Sequence, residues 1–100
     1  MIRHVVMWKF KAEALGKGKE ENMQLVKDML YSLVPRIPEI KRMEIGIDLT
    51  HTSASMDLML LTEFDSTEDL KTYAVHPDHL LVAEYVSKVV DNRVVLDSEI

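Results

Sequence analysis

A chain of 100 residues with a formal net charge of −5 and a pI of about 5.3 has the size of one domain, and it lacks the basic face that a nucleic-acid partner selects. The absence of cysteine excludes disulfides, a thiolate nucleophile and sulfur-ligated metal. No apolar run approaches the roughly 18 residues of a membrane span, and the first residues alternate where a signal peptide would be continuously apolar, so the expected setting is the cytoplasm.

Ile2, His4, Val6, Trp8 and Phe10 alternate with Arg3, Val5, Met7 and Lys9, which predicts a strand over 2–10. Its middle is apolar on both faces, through Val6 and Trp8 on one and Val5 and Met7 on the other, so both faces are expected to be covered. Residues 13–18 read as a polar connection. Met23, Val26, Leu30, Leu33 and Val34 recur at helical spacing and predict a helix over 19–34. Glu20 and Glu21 suit its positive end, and Pro35 closes it. The carbonyls of 33–38 lie at the negative end of that helix dipole, where a cation can be held. A second strand is predicted over 39–50, a turn over 51–55, and a third strand over 56–64. In the third strand Met56, Leu58, Leu60, Thr62 and Phe64 share one face, while Met59 and Leu61 make the middle of the other apolar too. Asp65-Ser66-Thr67-Glu68-Asp69 carries a helix start with the makings of a capping box. A short helix runs from there to about Tyr73, a longer one from Pro77 to about Val90, and a last strand spans 93–97.

The resulting order, β-α-β-β-α-β, is that of the ferredoxin-like plait, an α+β fold with both helices on one face of an antiparallel sheet. The other sheet face would carry Val5, Met7, Met59 and Leu61 into water, and apolar patches of that kind are usually covered. A second copy, packing sheet against sheet, is the simplest cover. The expected state is therefore a homodimer.

The stretch Tyr73-Ala74-Val75-His76-Pro77-Asp78-His79 holds the chemistry. Proline lacks an N–H and has a preset φ, so Pro77 suits the first position of a helix and separates it from the one before. His79 then shares a face with Val82, Ala83, Val86 and Val90, which turns its imidazole inward. A tyrosine across the break can pair with it as hydrogen-bonding partner to a general base. From these residues alone a structural role comes first, in which His79 satisfies backbone groups and Tyr73 fills the core. His4 shares its strand face with Val6 and Trp8, as a core histidine or a pocket lining. His76 and His79 are three apart across a proline with no carboxylate placed beside them, so no metal site is expected. No glycine-rich phosphate loop or flavin fingerprint is present, and no cofactor is expected.

His4-Val5-Val6-Met7-Trp8-Lys9-Phe10, Ile37-Pro38-Glu39-Ile40 leading into Glu44-Ile45-Gly46, the Tyr73–His79 stretch, and Asp91-Asn92-Arg93-Val94-Val95-Leu96-Asp97 resemble the stress-responsive dimeric α+β barrel family, Dabb. The resemblance spans essentially the whole chain. It implies two plaits packed sheet to sheet as a dimeric barrel, and it implies no single function. One plant member is a polyketide cyclase that closes a linear thioester by aldol condensation without a cofactor. By that resemblance its catalytic tyrosine and histidine match Tyr73 and His79, and two further histidines match His4 and His76. Aromatic positions of the cyclase pocket fall on Val26, Leu30 and Val90, and a histidine falls on Leu58. The pair is kept while the walls differ, so the same substrate is not implied. The resemblance thus marks His79 and Tyr73 as candidate catalytic residues. Candidate ligand contacts are His4, Val6, Trp8, Val26, Leu30, Leu58, His76 and Val90. Three readings follow. The chain is a barrel that binds a small hydrophobic or polyketide-like molecule, or a cofactor-independent cyclase, lyase or monooxygenase-like enzyme, or a structural stress protein whose trait is its stability. Neither nucleic acid nor membrane is expected as a partner.

Overall fold

Alternation in the first strand decides the layering. In the computed structural model, which describes residues 1–100, Val6, Trp8 and Phe10 are buried while Met7 between them is 37% exposed. The elements in chain order are β1 (Ile2–Phe10), β2 (Glu13–Ala14), β3 (Lys17–Gly18), α1 (Lys19–Tyr31), β4 (Arg42–Ile47), β5 (Leu58–Phe64), α2 (Thr67–Val75), α3 (Pro77–Val89) and β6 (Val90–Glu99). Four strands form an antiparallel sheet in the order β4-β5-β1-β6, the arrangement of the ferredoxin-like plait. Val6, Trp8, Phe10, Leu58, Leu60 and Phe64 of the sheet join Met23, Val26 and Leu30 of α1, Tyr73 of α2, and Val82, Val86 and Val89 of α3 in one core.

The opposite sheet face is bare. Cross-strand register places Val5 beside Leu61 and Leu96, and Met7 beside Met59 and Val94. Val94 is 44% exposed and Leu96 64%. At one end of this apolar band, Glu63 accepts from Arg3 at 2.9 Å and from Arg42 at 3.4 Å, and Arg42 also reaches Glu44 at 2.7 Å.

Several elements depart from the sequence reading: the second strand covers 42–47 of the expected 39–50 and the third 58–64 of the expected 56–64, and the first helix and the last strand differ more. The first helix ends at Tyr31 and not at Val34. Its last turns tighten, with the Leu33 and Val34 N–H groups donating to Leu30 and Tyr31, and the Leu33 carbonyl then accepts from both Arg36 and Ile37. The buried Leu33 and Ile37 hold this coil, and the chain reaches β4 only at Arg42, after Lys41 has donated to the Glu63 carbonyl. The last strand runs over 90–99, twice the expected span, because it pairs with β1 from Phe10↔Val90 to Ile2↔Glu99. Its polar ends, Asp91, Asn92, Ser98 and Glu99, show no apolar alternation. Backbone pairing extends the strand, and side chains do not announce it.

The connection at 13–18 is a small hairpin, β2 paired with β3. Leu15 and Gly16 both take positive φ, 55° and 75°, as a two-residue hairpin turn of the mirror-image kind requires. Asn22, buried on α1, fixes this hairpin. Its amide donates to the Ala14 and Lys17 carbonyls, and its side-chain oxygen accepts from the Tyr85 hydroxyl at 2.8 Å. One polar side chain thus ties the hairpin to α1 and α3.

Candidate functional site

The break between α2 and α3 is built by three neighbouring residues. Ser66 caps α2 by accepting from the Asp69 N–H, and α2 runs on to Val75. His76 then leaves the helical region, with φ −61° and ψ 134°, and its Nδ1 accepts from the Asp78 N–H at 3.1 Å, capping the helix that Pro77 opens. The turn returns His79 to the end of α2, where its Nδ1 lies 3.0 Å from the Ala74 carbonyl. Its ring comes to rest 4.3 Å from that of Tyr73, centroid to centroid, at 45°.

A cavity of about 290 Å³ lies here between sheet and helices. His4, Val6, Trp8 and Leu60 line it from the sheet, Leu30 from α1, Leu70, Tyr73 and Ala74 from α2, and His79, Val82, Ala83, Val86 and Ser87 from α3. Val90, Arg93 and Asp97 of β6 complete it. A depression of about 410 Å³ elsewhere is larger, but its Lys19 is paired with Asp57 at 3.4 Å and its Asp48 accepts from the His51 N–H at 2.7 Å. That bond holds the Asp48 carboxyl below the usual range. Partnered charges leave little to recognise a ligand, whereas the smaller cavity is apolar with a few convergent polar groups.

A carbonyl can only accept, so the His79 Nδ1 carries a proton and donates to Ala74. In the neutral ring Nε2 is then a bare lone pair. Burial lowers the pKa of His79, the bond to Ala74 opposes this, and the charges of His4, Arg93 and His76 lower it further. A neutral imidazole with a defined tautomer can take a proton at pH 7. Tyr73 is 1% exposed, and burial pushes its hydroxyl up to about 12, with Arg93 pulling slightly the other way. The hydroxyl stays protonated and is a donor. It has no partner: the bond to His79 that the sequence suggested is not formed, and the two rings meet by their faces and edges alone. Trp8 Nε1 is likewise buried and unpartnered.

The other expected site residues separate into two groups. His4, Val6, Trp8, Leu30 and Val90 line the cavity with Tyr73 and His79. His4 is mostly buried, and its Nδ1 pairs with the Asp97 carboxylate across β1 and β6. Val26 and Leu58, 0% and 1% exposed, are packed in the core away from the cavity, and His76 is occupied as a helix cap. Arg93, Asp97, Leu60 and Leu70 were not anticipated. The period-two spacing of Arg93, Val95 and Asp97 put them on one face, but only the register Trp8↔Arg93 and His4↔Asp97 shows that it is the face of Trp8 and His4. No three His, Asp or Glu side chains converge as a metal site would need.

The family model described as the stress responsive A/B barrel domain matches residues 2–100. The chain is 26% identical over 97 residues to the stress-response A/B barrel domain-containing protein DABB1 of Arabidopsis thaliana, which covers 97% of this chain. It spans only 46% of the length of that relative. Among solved structures, a dimeric protein of unknown function with a ferredoxin-like fold from Bacteroides fragilis superposes with a TM-score of 0.82 at 24% identity, covering 99% of this chain and 95% of its own. The hydroxynitrile lyase of Passiflora edulis superposes with a TM-score of 0.83 at 20% identity, covering 97% of this chain and 90% of its own. Matched over all but its first residue, and folded as these structures are, the chain belongs to the stress-responsive A/B barrel family, Dabb.

Proposed function

We propose that this chain forms a homodimer, sheet face to sheet face, and binds a small, largely apolar molecule in the cavity between its sheet and helices α2 and α3. The carrying observation is the cavity itself: about 290 Å³, mostly apolar, with a neutral imidazole and two buried donors that have no protein partner. Buried polar groups normally find partners, and a ligand oxygen is a fitting one. The dimer rests on the bare band of Val5, Met7, Met59, Leu61, Val94 and Leu96, and on the dimeric state of the Bacteroides fragilis relative.

A second reading has its own observation, the Nδ1–Ala74 bond. It leaves Nε2 as a base in a low-dielectric pocket, able to remove a proton from carbon next to a carbonyl or from a hydroxyl. Tyr73 would donate to the oxygen on which charge develops. That is chemistry for a cofactor-independent cyclase or lyase, and the similar fold of the Passiflora edulis enzyme agrees with a lyase on such a frame.

A thermal-shift screen of small apolar oxygen-containing molecules tests the binding reading. The expected result is stabilisation that grows with ligand concentration and disappears in Ala83→Phe, which fills the cavity from an exposed position. Stabilisation that survives Ala83→Phe contradicts it. For the catalytic reading, deuterium exchange at the methylene of ethyl acetoacetate should be accelerated by the protein and not by His79→Gln.

A further inference from the structure

Two residues that line the cavity carry buried polar hydrogens with no protein partner. Trp8 Nε1–H and the Tyr73 hydroxyl are donors without partners, from two different elements, β1 and α2. A third donor adjoins them. Arg93 lies directly across from Trp8 in the β1–β6 register, lines the same cavity, and its guanidinium enters no ion pair or side-chain hydrogen bond. The one carboxylate in the lining, Asp97, has its Oδ1 engaged by His4. Ser87 spends its hydroxyl on the Glu84 carbonyl. The unpartnered groups among the lining residues are thus mainly donors, with Arg93 as an unpaired positive charge, while the acceptors are the Nε2 of His79 and the second oxygen of Asp97.

We propose that the cavity is selective for a small apolar carboxylate, its anion held by Arg93 at the β6 side and by the indole N–H of Trp8. The apolar body lies over Val6, Leu60, Val82 and Val86. This rests on the reading that the cavity is a ligand site, and it adds the charge and class of the ligand. A guanidinium binds a carboxylate in a planar, two-pronged geometry, stronger than any neutral hydrogen bond. An amine or other donor-rich molecule meets donors and a like charge and is rejected. The volume, at the lower edge of the roughly 300–1,000 Å³ common for ligand pockets, limits the acid to a small one. The positive charge of Arg93 acts on both Tyr73 and His79, so an anion seated on it changes the field at the candidate base.

The chain contains a single tryptophan, Trp8, which makes its fluorescence a direct reporter of the cavity. The experiment titrates the full chain with matched pairs, hexanoate against hexanamide and benzoate against benzamide, following Trp8 emission and checking by calorimetry. The proposal expects each acid to bind about tenfold more tightly than its amide, a preference that shrinks with added salt and vanishes in Arg93→Gln. Arg93 is an exposed strand residue, so the variant is expected to fold, and its melting temperature is measured alongside. Equal affinity for acid and amide, or a preference that persists in Arg93→Gln, overturns the proposal while leaving the ligand site standing. Failure of all four probes to bind the wild type overturns the ligand site as well.

Discussion

Removing the hydroxyl of Tyr73 gives the sharpest separation between a site and a core. The ring is 1% exposed and packs against Phe64 at 5.1 Å, His79 at 4.3 Å and His4 at 6.4 Å, all contacts that Tyr73→Phe keeps. The hydroxyl itself is buried with no protein partner. A buried polar group left unsatisfied costs about 1–3 kcal/mol, so its deletion should leave stability unchanged or raise it by about 1 kcal/mol. A structural tyrosine behaves in the opposite way, losing a hydrogen bond and roughly 1 kcal/mol or more. The titration of the same group gives a second signature. Its pKa rises from 10.0 in the open chain to about 12 in the fold, so the unfolded chain gives up its proton first as pH climbs. The stability contributed is full below pH 10 and declines as pH rises from 10 towards 12, by about 2–3 kcal/mol across that window. Tyr73→Phe should lack this decline. Urea unfolding of both proteins at pH 7 and pH 10.5 reads both effects. A variant destabilised by more than about 1 kcal/mol at pH 7 would refute the reasoning, because the hydroxyl must then have a partner in the folded protein.

Three further outcomes are expected. Met7→Lys places a charge in the middle of the bare sheet band, so sedimentation should show the wild type as a dimer at micromolar concentration and the variant as a monomer; a wild-type monomer would remove the barrel. Asn22→Ala should cost about 1–3 kcal/mol, since it strands the Tyr85 hydroxyl and two carbonyls of the hairpin, and hydrogen exchange should quicken at 13–18 first; an unaltered hairpin would mean that its turn holds without the tie. His79 has its pKa lowered by burial, so the unfolded chain binds the proton more readily; the stability this burial secures is complete above pH 6.5 and falls as pH drops below that value towards the folded one. His79→Gln should flatten the stability curve in that window, and a wild-type curve of the same slope as the variant would contradict the buried neutral ring.

Much of the fold is legible in the chain because its cues are local and agree with one another. Alternation over 2–10, the Ser66 cap followed by Asp69, and Pro77 at the start of a helix each state one element, and together they impose the plait. The elements that were read short or missed are those set by distant partners. The last strand owes its length to pairing with β1, and Asn22 looks like any polar helix residue until the hairpin and Tyr85 are placed around it. The site divides in the same way. Tyr73 and His79 are close in sequence, and the proline between them announces the turn. Their expected hydrogen bond is absent: the rings pack against each other, the Tyr73 hydroxyl has no protein partner, and the His79 Nδ1 is held by Ala74. Arg93 and Asp97 join the cavity only through strand register, which alternation by itself leaves open by one face. Val26 and Leu58 are wall positions by resemblance and core positions by packing, fully buried and outside the cavity lining.

The proposed site depends on His79 being a neutral ring, protonated at Nδ1 and bare at Nε2. Nitrogen-15 NMR of the imidazole side chains at pH 7, with His79 assigned by comparison with His79→Gln, observes that state directly. The expected spectrum has His79 in the neutral Nδ1–H tautomer at pH 7, taking up a second proton only below the ordinary imidazole range. A His79 that is protonated at pH 7, or that carries its proton on Nε2, would contradict the account, for it could neither donate to Ala74 as described nor accept a proton from a ligand.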